Sequence, residues 1–330
     1  MPWMHLKVTA EQMKGLADAA LLATLAMGSV LGASALVPAT WPRRAPAAAI
    51  LLWQALGLAG GLAAVGTLVS LGLPGDHLGV ASSLLHLGTV FPQAAFRFPV
   101  AFGVVSVLPV MLLVFRLACV GAGLALLASL CWVLIAVSAA ALQARRRQRA
   151  LLALLAHGDP KVPGALVVDY PTVAAYCLPG LFSRIVVLSV GTVELLGRGE
   201  LAAVLAHERA HLRERHDLVL LPFSALRRAF PRSAMCVEAQ RSVALLVEML
   251  ADDHALRGRP ARELVSALVR FGTAGTCPAP AGTLAVGEGD VIARVARLLH
   301  PVRPLPPAAI AAICLASALL VATPVTLLIL

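Results

Sequence analysis

Ala47–Leu73 runs for 27 residues without a charged side chain, and three other stretches come close to it. Leu16–Val37 carries only Asp18, and neither 118–142 nor Ala308–Leu330 carries any charge. About twenty such residues cross the hydrocarbon core of a bilayer. Inside that core every backbone N–H and C=O must be satisfied within the chain, which restricts these runs to helices. At 59% hydrophobic and 13% charged over 330 residues, the composition excludes an ordinary soluble globule. The fold expected is an α-helical multi-span membrane protein. A signal peptide competes for 16–37, but the run is long and no small-residue cleavage site follows it cleanly.

Gly57, Gly60, Gly61 and Gly66 in the second run suit close packing against another helix. Pro74–Phe98 reads as a loop, and its His77 and His86 read as interfacial groups. From 100 to 142 the chain is apolar but for Arg116. We place the crossing near 118–142 and read 100–115 as interfacial or re-entrant. Arg145-Arg146-Arg147-Gln148-Arg149 follows at once, and a basic run beside a span marks the cytoplasmic side. Three crossings then put Arg43 and Arg44 inside and the N-terminus outside, against the pull of Lys7 and Lys14. The N-terminal membrane region is thus 1–142, with spans near 16–37, 47–73 and 118–142, and a final span occupies 308–330.

Between them, 143–303 has the composition of a water-facing domain, with 21 Lys+Arg against 14 Asp+Glu. No nucleic-acid-binding motif accompanies that basic balance, so the expected counterpart is anionic lipid and not nucleic acid. Ala165–Asp169, Thr172–Cys177 and Arg184–Ser189 are β-branched runs bounded by Pro and Gly, predicting a small sheet. Helices are expected at 199–214, 238–257 and 260–271, with a Pro222-broken stretch between the first two and a short amphipathic helix at 291–299. Thr273–Asp290 reads as a Gly/Pro-rich loop. The six cysteines form no C-x-x-C pair and read as small buried hydrophobes in a reducing compartment.

Chemistry concentrates in His207-Glu208-Arg209-Ala210-His211, which reads H-E-x-x-H. Residues four apart share a helix face, so His207 and His211 can offer two imidazoles to one metal ion. Glu208 lies about 100° round the helix and can reach a water activated there. The bland alternative is a solvated, charged helix, which the apolar lead-in Leu201–Ala206 argues against. A catalytic zinc needs a third protein ligand and an open position. Glu248 and Asp252 stand four apart in an apolar helical stretch, where an unpaired carboxylate is costly. Glu248 as third ligand, with Asp252 orienting a ligand histidine, answers both needs; otherwise the two face water or pair with Arg241 and Arg257. Asp253 reads as a solvated neighbour. His254, His216 and Arg257 are the candidates for stabilising an oxyanion. A metzincin pattern fails, because it needs Gly at 214 and His at 217 where this chain has Glu214 and Asp217.

H-E-x-x-H at 207–211, E-M-L-A-D at 248–252, the Cys177-Leu178-Pro179-Gly180 turn and the run ELAAVLAHERAHLRERHD together resemble the BlaR/MecR-type membrane metallopeptidases. These are relatives of the HtpX and CAAX-prenyl-protease group. The resemblance covers about 165–257. It implies a cytoplasmic α+β zincin-like domain in the plasma membrane, with one Zn2+ held by His207, His211 and Glu248 and with Glu208 as catalytic base. It places Asp252 at the family's E-x-x-x-D aspartate. It also implies that the strand before the motif helix is an edge strand, so that Ile185, Val186, Val187, Leu188 and Ser189 would pair with an extended substrate. The relatives carry a penicillin-binding sensor after the last span; this sequence ends at Leu330, so direct β-lactam sensing is not expected.

The expected function is zinc-dependent hydrolysis of a peptide bond in a protein substrate at the cytoplasmic face, with a DNA-binding transcriptional repressor among the candidate substrates. Two readings compete: quality control of membrane proteins, as in HtpX-like enzymes, and a non-catalytic zinc-containing receptor or scaffold. A structural zinc site has no use for Glu208.

Overall fold

The computed structural model describes residues 2–73, 107–180, 184–274, 288–300 and 303–329. The His77/His86 loop, the 100–106 part of the third apolar run and most of the Gly/Pro-rich segment at 273–290 lie outside these residues. The described chain divides into two compact units, one formed by 1–38, 51–131 and 311–330 and the other by 39–50 and 132–310.

Among the described residues, four helices are long and apolar enough to cross a membrane: α1 (Pro2–Leu36), α2 (Pro46–Gly72), α3 (Val107–Leu155) and the last, α10 (Pro307–Ile329). α3 corrects the expected division of the third run, since 107–115 is continuous with the helix that follows. Within the first unit the packing is close where side chains are small. A Cβ on Gly60 would meet the Cβ of Ser29 at 3.1 Å, and one on Gly66 would meet Leu22 and Leu328 at 3.0 Å. Gly61 has nothing within 4 Å and plays no such part.

The second unit holds a four-stranded sheet: β1 (Ala156–Gly158), β2 (Leu166–Val168), β3 (Ala175–Leu178) and β4 (Ile185–Ser189), in the order β1-β2-β4-β3. β4 runs parallel to β2 and antiparallel to β3, with Leu188 opposite Ala175 and Ile185 opposite Leu178. β4 is therefore an inner strand, and the expectation of a substrate-binding edge along Ile185, Val186, Val187, Leu188 and Ser189 is wrong. The reason lies in its composition. Val186 and Leu188 pack towards the helices while Val187 packs with Leu152 and Leu178 on the other side. A strand buried on both faces reads as a continuous apolar run and belongs inside a sheet. β3 is the outer strand on that side.

Six helices follow: α4 (Val190–Leu195), α5 (Arg198–Glu214), α6 (His216–Ala229), α7 (Ala234–Ala255), α8 (Ala261–Ala274) and α9 (Glu288–Leu299). α5 starts where Glu200 accepts the Gly197 backbone N–H at 2.8 Å, and Ser233 caps α7 through the Cys236 N–H. Leu201, Val204, Leu205 and Leu212 bury α5 against the sheet. Ala203 on its other side meets Ala255, Leu264 and Leu298, so α5 is enclosed by α7, α8 and α9. α6 runs straight through Pro222, contrary to the expected break. α6 is tied to α7 beyond that proline: Arg227 donates to Gln240 Oε1, and Gln240 donates to Ser224 Oγ.

Candidate metal centre

α5 enters the core carrying His207, Glu208 and His211, and α7 crosses it carrying Glu248 and Asp252. His207 and His211 lie one turn apart with their Nε2 atoms 3.1 Å from each other. Glu248 Oε2 is 3.3 Å from His207 Nε2, and Oε1 is 3.5 Å from His211 Nε2. Among the described residues these three form the group spaced to hold a metal ion. Zinc bonds of about 2.0–2.2 Å in a tetrahedron set the donors about 3.3–3.6 Å apart. Two edges fall in that range and the third, at 3.1 Å, is slightly shorter, so the triangle fits an ion of zinc's size. Its donor set suits zinc as well, since two facing Nε2 lone pairs at 3.1 Å repel unless a proton or a cation lies between them.

The support around the triangle is ionic. Asp252 is 1% exposed, and its Oδ1 lies 3.0 Å from His207 Nδ1, off the ideal line of a hydrogen bond. Arg294 on α9, itself 5% exposed, donates to both Asp252 oxygens and to Glu248 Oε2 at 2.8 Å. Arg241 and Arg257, the partners considered from sequence, do not take this place; Arg241 pairs with Asp290. The signal for Arg294 was its position four residues before the buried Leu298, on the inward stripe of an amphipathic helix. Asp253 is not merely solvated either, because Arg297 donates to both its oxygens at 2.7 and 2.8 Å.

These contacts set the charges. Burial works against the imidazolium of His207, but the adjacent Asp252 and Glu248 carboxylates outweigh it and raise its pKa to about 9. Burial lowers His211 to about 4, against the pull of Glu248. Burial would raise the Glu248 carboxyl, yet Arg294 and the two histidines hold it well below the usual carboxylate range. Asp252 is likewise lowered against burial, mainly by Arg294. Glu208 is raised, by burial first and by the nearby Glu248 charge, with His207 opposing.

Cys177, which composition alone read as a small hydrophobe, stands on β3 beside the Glu208 carboxylate. Burial first, and then that carboxylate, push its thiol upwards, so Cys177 stays a neutral thiol there. Strand alternation was the available signal, since Ala175 and Cys177 both pack towards the core that α5 enters.

The three oxyanion candidates are placed elsewhere. His254 lies six residues, or about 240° of helix, from Glu248, and its Nδ1 meets Arg213 and Glu214 instead. Arg257 is exposed in the turn after α7. His216 is 2% exposed and stands behind His211, with the two Nδ1 atoms 2.9 Å apart.

No curated protein and no solved structure matches the chain. Residues 135–251 match the family model described as Peptidase family M48. That stretch includes the sheet, the H-E-x-x-H helix and Glu248. The match covers about a third of the chain, and with the His-His-Glu cluster it makes this segment similar to the M48 metallopeptidases.

Proposed function

We propose that this chain is a membrane-embedded zinc endopeptidase that cuts a protein substrate at the cytoplasmic face, in the manner of the BlaR/MecR-type enzymes. The observation that carries the reading is the donor triangle of His207, His211 and Glu248 beside a glutamate that none of the three requires. Zinc held by His207, His211 and Glu248 would supply a Lewis acid beside the scissile carbonyl. Glu208 would accept the proton of an attacking water and pass it to the leaving amine. Its raised carboxyl brings it nearer the pH at which a general base works best. Arg294 fixes Glu248 by donating to its Oε2 at 2.8 Å.

The substrate segment aligns along β3, the outer strand of the sheet on that side, and not along the inner strand β4. An extended peptide added there continues the sheet by backbone hydrogen bonding, with side-chain pockets supplying preference. The Arg145–Arg149 run supports a cytoplasmic catalytic unit held at anionic lipid. The substrate class we propose to test first is a DNA-binding repressor.

The test uses full-length protein in detergent. One equivalent of zinc per chain and peptide hydrolysis lost in Glu208→Gln are expected; a chain that binds no zinc refutes the proposal. Glu208→Gln, expressed as a trap, should retain one DNA-binding protein. A broad set of membrane proteins in that trap would replace the signalling role with quality control.

A further inference from the structure

The two histidines of the triangle are supported differently. His207 backs onto the carboxylate of Asp252, whereas His211 backs onto another imidazole, that of His216. The rings of His211 and His216 meet edge to face at 85°, with centroids 4.8 Å apart. For His211 to present Nε2 bare towards a cation, its ring proton must sit on Nδ1. That N–H then needs an acceptor, and His216 Nδ1 is the atom 2.9 Å away. His216 must accordingly carry its own proton on Nε2.

Two costs show that this arrangement is specified and not incidental. His216 Nε2 is buried with no hydrogen-bond partner among the described residues, a penalty that a leucine filling the same space would avoid. Arg215, between α5 and α6, has φ 53° and ψ 44°, the left-handed region that side chains with a Cβ rarely adopt. This turn ends α5 and returns the chain so that the very next residue is buried against His211. Strain at a turn beside a site marks a position that the surrounding structure holds in place.

We infer that His216 is a positioning residue for the metal, acting through His211: a neutral acceptor that fixes the tautomer and ring angle of that ligand. This rests on the zinc reading above. Hydrogen bonding behind a ligand histidine sets both its orientation and its basicity. An imidazole acceptor adds no charge, so His211 is fixed in place without the extra negative field that Asp252 lends to His207.

Three variants of the full-length protein in detergent separate this role from simple packing. Asparagine places an acceptor oxygen where Nδ1 stands, leucine fills the same shape without one, and glutamine carries its amide to the Nε2 position. Zinc affinity is read by chelator competition and ligand geometry by the visible absorption of the cobalt(II) form. His216→Leu and His216→Gln should bind zinc about 10- to 100-fold more weakly, with His216→Asn remaining within about threefold of the natural protein. The cobalt spectrum should change in the first two and be restored in the third. Equal affinity and equal spectra in all three overturn the inference, as does an asparagine variant no better than leucine. If His216→Leu does not fold, the asparagine and glutamine pair decides. Failure of the natural protein to bind zinc would instead refute the proposed function, so the two failures are distinct.

Discussion

In the apolar unit the described hydroxyl groups turn back on their own helices. Thr24 donates to Ala20, Ser29 to Leu25, Thr67 to Ala63 and Ser317 to Ile313, each to the carbonyl four residues before it. The other unit satisfies its buried polar groups over long sequence separations. His207 comes from α5, Glu248 and Asp252 from α7, and Arg294 from α9, 42 residues beyond Asp252. A local bond survives whatever happens to neighbouring helices, whereas the second set is stable only when complete. Removing one member strands charges that are expensive to bury.

The largest effect should come from Glu208, which stands beside this set and outside it. Glu208→Gln keeps the shape of the side chain and removes the base, so peptide hydrolysis should fall about 10²- to 10⁴-fold while zinc content stays at the natural level. Steady-state cleavage and metal analysis on the same preparation check it. Loss of zinc together with activity would mean that Glu208 belongs to the interdependent set.

Next in size is the ion cluster itself. Arg294→Met leaves Glu248 and Asp252 facing each other without their shared cation, and should destabilise the second unit by about 3–5 kcal/mol. The loss should be greatest at neutral pH and shrink in acid, where the two carboxylates take up protons. Denaturant unfolding at both pH values measures it.

Chelated, metal-free protein should then show a stability maximum near pH 6.5. The folded pKa of His207, about 9, lies above the ordinary histidine value of about 6.5. Its contribution is therefore complete below pH 6.5 and is lost as pH rises through 9. His211 and His216 lie at about 4, so the unfolded chain binds their protons first and stability falls from pH 6.5 towards 4. The alkaline loss should be on the order of 3 kcal/mol. Zinc should abolish it, because a ligand His207 no longer holds that proton. An alkaline decline that persists at saturating zinc would separate His207 from the metal.

The same contrast explains what could be read from the sequence. The apolar runs and H-E-x-x-H are local patterns, fixed by bilayer thickness and helix period, and neither needs a tertiary partner to be legible. Glu248 was legible as a carboxylate in an apolar turn, which demands a partner without naming it. Arg294 answers that demand from a helix 42 residues beyond Asp252, and among so many arginines only its place on the buried stripe distinguished it. The position of β4 depended on strand order, although four successive apolar residues at 185–188 already favour an inner strand. His216 was named from the sequence as an oxyanion candidate, but its place behind His211 was hidden because nothing local announces a left-handed Arg215; glycine or asparagine is the usual sign of such a turn.

The smallest effect tests the other half of the contrast. Ser317 is 2% exposed, yet its Oγ bonds only the Ile313 carbonyl of its own helix, which also serves in the helical ladder. Ser317→Ala removes a donor and leaves no buried group without its primary partner. The unit should therefore change by less than about 1 kcal/mol, against the several expected for Arg294→Met. Thermal unfolding of the two variants in the same detergent gives both numbers. A Ser317→Ala loss as large as that of Arg294→Met would show that the apolar unit, too, depends on polar contacts between its helices, and the distinction between the units would fail.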